Sequence, residues 1–140
     1  MPMSPNISAP VLLVENAAVL QAVVRELGRH QLSPRVAGEV AELLRLLKME
    51  PEATVFLDCR ALMQHGVGLI ARLRVASPGS RLVLLCSRDH PHHQSLVREA
   101  MDMGVYACLS APYQDYEILA MVRPAQSRKP PRKPPPRRDG

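Results

Sequence analysis

The sequence predicts an α/β protein with a five-stranded, doubly wound parallel sheet covered by helices on both faces. Apolar runs that read as buried strands alternate five times with helical stretches, which specifies parallel strands joined by right-handed crossovers. The run Leu82-Val83-Leu84-Leu85-Cys86 is apolar throughout, as expected of a strand buried on both sides. Two further strands, Val11-Leu12-Leu13-Val14-Glu15-Asn16 and Thr54-Val55-Phe56-Leu57-Asp58, end on an acid or an acid and an amide. In an open parallel sheet, residues just past the carboxyl ends of neighbouring strands converge on one crevice, where ligands bind.

After the first strand, Leu20, Val23, Val24 and Leu27 fall at helical spacing, with Asn16 placed to cap this helix and Gly28 to end it. Arg35-Val36-Ala37 is a short, weak strand. Val40, Leu43, Leu44 and Leu47 repeat the helical period until Glu50-Pro51 breaks it. Past the third strand, Leu69, Ile70 and Leu73 mark a third helix closed by Ser77-Pro78-Gly79. Following the fourth strand, a fourth helix around Leu96, Val97, Ala100 and Met101 stops at Gly104. The fifth strand is expected at residues 106–109, and a short fifth helix at residues 115–122 is stopped by Pro124.

At 140 residues with 46% apolar content, the chain is expected to form one domain with a real core. The net charge of +5 is concentrated at one end, because Arg128, Lys129, Arg132, Lys133, Arg137 and Arg138 set against Asp139 account for all of it. Residues 1–9 are expected to be disordered. So is the Pro-, Arg- and Lys-rich tail at residues 124–140, partly extended as polyproline II, because it has too little apolar surface to offset ordering. The tail is read as a solvated segment. It lacks aromatics for base stacking, so specific nucleic-acid binding is not expected. No run of about 18 apolar residues spans a membrane and the first residues do not resemble a secretory signal, so a cytoplasmic protein is expected.

Cys59, Cys86 and Cys108 are odd in number and lack metal-ligand spacing, so they read as free thiols in a reducing compartment. All three lie near carboxyl ends of strands, where the commoner role is a small core residue, not a redox sensor. His90-Pro91-His92-His93 supplies imidazoles, but their spacing is too short for a closed tetrahedral site, and a solvated loop at a helix start is expected. No glycine-rich phosphate loop is present.

Four anchors in order are similar to the receiver domain of two-component response regulators. They are residues 11–16, Phe56-Leu57-Asp58, Gly66 eight residues after Asp58, and the stretch from Gly104 to Pro112. The resemblance covers residues 10–123 and implies a flavodoxin-like receiver fold acting in phosphorelay signal transduction. It places Asp58 at the phosphoacceptor position and makes Glu15, Asn16, Asp58 and the backbone carbonyl of Arg60 the magnesium ligands. Asn16 stands where the family has a carboxylate, which weakens a Mg2+ site built from hard oxygen ligands.

The family's switch positions are also altered. Cys86 stands where a hydroxyl residue ends the fourth strand, and Ser87, one residue on, points to the opposite face of a regular strand. Cys108 replaces the switch aromatic, with Tyr106 two residues off that position. Ala111 replaces the lysine that pairs with phosphoryl oxygens, so that stabilising charge is lost.

Two functions follow from the resemblance. One is a phosphorylation-competent single-domain regulator that accepts phosphate on Asp58 from a histidine kinase. The other, favoured by the altered positions, is a non-enzymatic pseudo-receiver with weak or absent phosphorylation. It would bind a protein partner through the fourth helix, fifth strand and fifth helix, a face that includes Arg98 and Tyr116.

Overall fold

Side-chain alternation along four of the five strands sorts the core into two apolar layers, one on each face of a single sheet. The structure, a computed structural model, describes residues 9–86 and 93–123. The expectations for residues 1–8, for Ser87 and the start of the histidine-containing loop, and for the tail from Pro124 onward lie outside the described residues.

In chain order the elements are β1 (Val11–Leu13), α1 (Ala17–Arg29), β2 (Arg35–Val36), α2 (Val40–Met49), β3 (Thr54–Asp58) and α3 (Cys59–His65). They continue with α4 (Gly68–Ala76), β4 (Arg81–Cys86), α5 (His93–Asp102), β5 (Ala107–Ser110) and α6 (Asp115–Val122). All pairings are parallel and the strand order is β2-β1-β3-β4-β5, the flavodoxin-like order whose crevice lies where β1 meets β3.

Because successive side chains on a strand point to opposite faces, Leu12, Phe56, Val83, Leu85 and Leu109 pack with Val23 and Leu27 of α1 and Ile118 and Val122 of α6. The other face carries Val11, Leu13, Val55, Leu57, Leu82, Leu84 and Cys86, which pack with residues of α2, α3, α4 and α5.

The helices are where sequence periodicity places them, with informative shifts. Asn16 does cap α1, but the helix continues past Gly28 to Arg29, and the left-handed residue beyond it is Gln31, at φ 61°. β1 stops at Leu13, so Glu15 and Asn16 belong to the loop entering α1. Two helices, α3 and α4, occupy the span where one was expected, separated at Gly66 with φ 77°, a conformation glycine adopts without a Cβ penalty. β5 begins one residue later than expected, leaving Tyr106 outside the strand and 44% exposed. Met101, one of the residues that marked the fourth predicted helix, is 40% exposed, whereas Ala100 is fully buried.

At the amino ends of the strands, polar side chains hold α6 down. Thr54 Oγ1 donates to the Met121 carbonyl at 3.0 Å, and Arg81 Nη1 donates to the carbonyls of Met121 and Arg123 at 2.6 and 3.0 Å. A cation at these carbonyls also complements the negative end of the helix dipole. The Arg81 guanidinium lies 4.5 Å from the centre of the Tyr106 ring, within cation–π range.

Candidate functional site

The topological switch between β1 and β3 brings the loop after Leu13 against the end of β3, and a single carboxylate joins them. Asp58 is only 2% exposed. Its Oδ1 accepts from the backbone N–H of Glu15 at 3.0 Å and of Ala61 at 2.9 Å, and its Oδ2 accepts from the N–H of Asn16 at 2.8 Å. The Ala61 bond makes Asp58 the N-cap of α3, satisfying one of the otherwise unpaired amides of that first turn. A carboxylate offers about four lone-pair directions, and three are committed here to main-chain donors.

The other residues of the predicted metal set are disposed as follows. Asn16 Oδ1 accepts from the N–H groups of Ala18 and Val19 at 2.9 and 3.1 Å, which commits both lone pairs of its amide oxygen to the α1 cap. Glu15 is exposed. Arg60 falls in the first turn of α3, where backbone carbonyls point along the helix toward its carboxyl end and so away from the Asp58 carboxylate. No group of three or more His, Cys, Asp or Glu side chains suited to a metal ion occurs among the described residues. Magnesium keeps several waters and takes only one or two carboxylates from a protein; here both Asp58 oxygens and the Asn16 amide oxygen are already engaged by backbone N–H groups.

One strand pair away, β4 and β5 form the second half of the edge. The expectation of three free thiols is corrected here, because Cys86 and Cys108 form a disulfide with Cα atoms 6.6 Å apart. The parallel register explains the meeting: Cys86 pairs with Ser110 and Cys108 with Leu84, so the two cysteines are diagonal neighbours on one face. Cys59, in the first turn of α3, is buried and takes no part in the bridge. Ala111 follows β5 and is half-buried, with no charge to offer toward Asp58.

Sequence reading missed Tyr113. Its hydroxyl donates to the backbone carbonyl of Cys86 at 2.9 Å, and the same carbonyl accepts from the Ala111 N–H at 3.3 Å. Its ring packs with the layer around Leu12 and Leu109. Burial, followed by the neighbouring Cys59 and then Asp58, pushes the Tyr113 phenol up to about 12. The phenol therefore stays a proton donor, since an anion beside these groups is disfavoured. The only sequence signal for it was an aromatic directly after Ala111-Pro112, in a turn where periodicity carries no information.

No protein-family model matches this chain, and no curated protein matches it. Solved structures do. The signal receiver domain of an HD domain-containing protein from Pseudomonas fluorescens Pf-5 superposes with a TM-score of 0.66 at 24% identity, covering 85% of this chain and 87% of that one. A response regulator from Thermotoga maritima gives 0.62 at 20% identity, covering 80% and 92%. A third match is a response regulator protein from Burkholderia pseudomallei with a phosphorylated aspartic acid, calcium ion and citrate. It gives 0.59 at 23% identity, covering 81% and 66%. Against NtrX from Brucella abortus in complex with ADP the chain spans about a quarter of that protein, 25% of its length, at a TM-score of 0.64 and 18% identity. The fold is thus that of response-regulator receiver domains.

Proposed function

We propose that this chain is a pseudo-receiver: a receiver-fold, protein-binding module of two-component signalling in which Asp58 is a structural acceptor and not a phosphorylation site. The observation that carries the proposal is the triple backbone hydrogen bonding of the buried Asp58 carboxylate. Acyl phosphate formation would turn one of these oxygens into an ester oxygen, neutralise the carboxylate that draws the N–H donors and bring a phosphoryl group of about −2 charge, at a site where Ala111 supplies no ammonium to offset it. The uncharged amide of Asn16, engaged at its own cap, supports a corner that works without magnesium.

The partner-binding role falls to the face built by α5, β5 and α6. Exposed side chains on or beside these elements include Tyr116, 68% exposed, together with Met101, Arg98 and Tyr106. Aromatics, methionine and arginine are the types enriched at protein interfaces. Among the described residues no helix is long and apolar enough to cross a membrane, which fits a cytoplasmic module.

The test is titration of the intact chain with magnesium and beryllofluoride, a phosphoryl mimic, while backbone amide shifts are recorded. The expected outcome is no saturable shift at Glu15, Asn16 or residues 58–61. Saturable shifts that spread to β5 and disappear in Asp58→Asn would overturn the proposal in favour of a phosphorylation-competent regulator served by a histidine kinase.

A further inference from the structure

We propose that Cys86 and Cys108 form a reversible thiol–disulfide exchange site whose substrates are low-molecular-weight thiols, their disulfides and dithiol reductants. Its redox state sets the placement of the loop between β5 and α6. This inference stands on the β4–β5 corner alone and does not depend on the behaviour of Asp58.

Several observations lead to it. The cysteines sit diagonally on adjacent parallel strands, with their Cα atoms 6.6 Å apart, inside the span a disulfide bridges. The two strands are already joined by a backbone ladder from Val83–Ala107 to Cys86–Ser110, so the bridge is not needed to hold them together. β5 is one of the two edge strands. Cys108 is half-buried there, whereas Cys86 is 9% exposed, so an incoming thiolate has the better approach to the Cys108 sulfur.

Cys86 is also the residue whose main chain reaches outward. Its carbonyl accepts both the Tyr113 hydroxyl and the Ala111 N–H, and Tyr113 lies two residues before α6. Opening the bridge leaves the ladder in place but changes the volume and position of the two sulfurs beneath Cys86, and its carbonyl's bonds to Tyr113 and Ala111 carry that local change to the loop before α6.

The exchange balances. A dithiol reductant attacks Cys108 Sγ through one thiolate, forming a mixed disulfide and releasing Cys86 as a thiolate that takes up a proton. The reductant's second thiolate then attacks its own sulfur in the mixed disulfide and releases Cys108, which is protonated in turn. Two electrons and two protons enter the protein, and the reductant leaves as a cyclic disulfide. In the oxidising direction, Cys108 thiolate attacks a small disulfide such as oxidised glutathione and expels one thiolate. Cys86 thiolate then attacks Cys108 Sγ and expels the second.

The experiment equilibrates the full chain in buffers of graded reduced-to-oxidised glutathione ratio, then quenches, unfolds and alkylates it for mass measurement. Parallel samples are followed by amide NMR. The sequence holds 3 cysteines, so the expected result is three alkylated thiols at the reducing end and one at the oxidising end. The transition should be reversible, with amides of Tyr113 and the first turn of α6 shifting in step with the thiol count. In Cys86→Ser those amides should stop responding to the glutathione ratio, while a glutathione adduct collects on Cys108.

Three thiols at every ratio, or a bridge that dithiothreitol cannot open without unfolding the protein, would overturn the proposal. So would a redox transition that leaves Tyr113 and α6 unmoved. These readouts come from the wild-type chain, so they stand even if the serine variant folds poorly.

Discussion

At the β1–β3 corner a buried carboxylate is tied to three backbone N–H groups, whereas at the β4–β5 corner a disulfide bridges the strands and a phenol shares the Cys86 carbonyl with one backbone N–H. The corners occupy the same edge of the same sheet, yet they spend their polar groups differently. At the first corner the partners are main-chain amides fixed by α1, β3 and α3, so the carboxylate is held by the fold itself. At the second they are side chains whose bonds can be exchanged: a disulfide that thiols can open and a phenol that can leave its acceptor. A receiver-like sheet edge can thus lose adaptability where its crevice lies and keep it one strand pair away.

The sharpest way to break that comparison is Asp58→Ala. It leaves the N–H groups of Glu15, Asn16 and Ala61 without their acceptor and removes the α3 cap. Hydrogen bonds to a charged group are worth about 1.5–3 kcal/mol each before relaxation and water restore part of them, so a net loss of about 3 kcal/mol is expected in urea unfolding. If Asp58 were instead an unsatisfied carboxylate kept for chemistry, its removal would leave stability unchanged or raise it. Asp58→Asn retains one acceptor oxygen and should fall between wild type and alanine.

Asn16→Ala probes the same corner more gently. It removes the side-chain oxygen that accepts from Ala18 and Val19, and losing such a cap costs about 1 kcal/mol. The loss should register as faster hydrogen exchange in the first turn of α1, with α6 unaffected. Equal loosening of both helices would mean that the cap acts on the whole edge and that the two corners are not separate.

Much of the fold could be read in the residues because its signals are periodic. The apolar runs of β3 and β4 are found where they were expected, and so are the i, i+3, i+4 stripes of α1 and α2, since burial on two faces or on one stripe leaves a repeating mark. What could not be read was set by geometry between elements. α3 is too short for a periodic stripe, and its start depends on Asp58 acting as a cap, a role that the resemblance had assigned elsewhere. The cysteine bridge depends on a register that places Cys86 opposite Ser110, and no spacing within the chain states a register between parallel strands. Glu15 and Asn16 meet Asp58 through their backbone N–H groups, and which atoms meet was decided by the backbone of the β1–α1 loop.

The smallest expected effect sharpens the second corner. Tyr113→Phe keeps the ring in its apolar layer and deletes only the hydroxyl, whose bond to the Cys86 carbonyl contributes about 0.5 kcal/mol in neutral solution because Ala111 still supplies a donor. The pH dependence is more telling than the magnitude. The folded phenol holds its proton up to about 12, above the ordinary value of 10.0. The stability linked to this shift is therefore fully present below pH 10 and is lost as pH rises through about 12, because the unfolded chain gives up that proton first. Tyr113→Phe should flatten this alkaline decline and delete the late component of the tyrosinate absorbance titration. If the late component survives the substitution, the phenol at this corner is not the group held back.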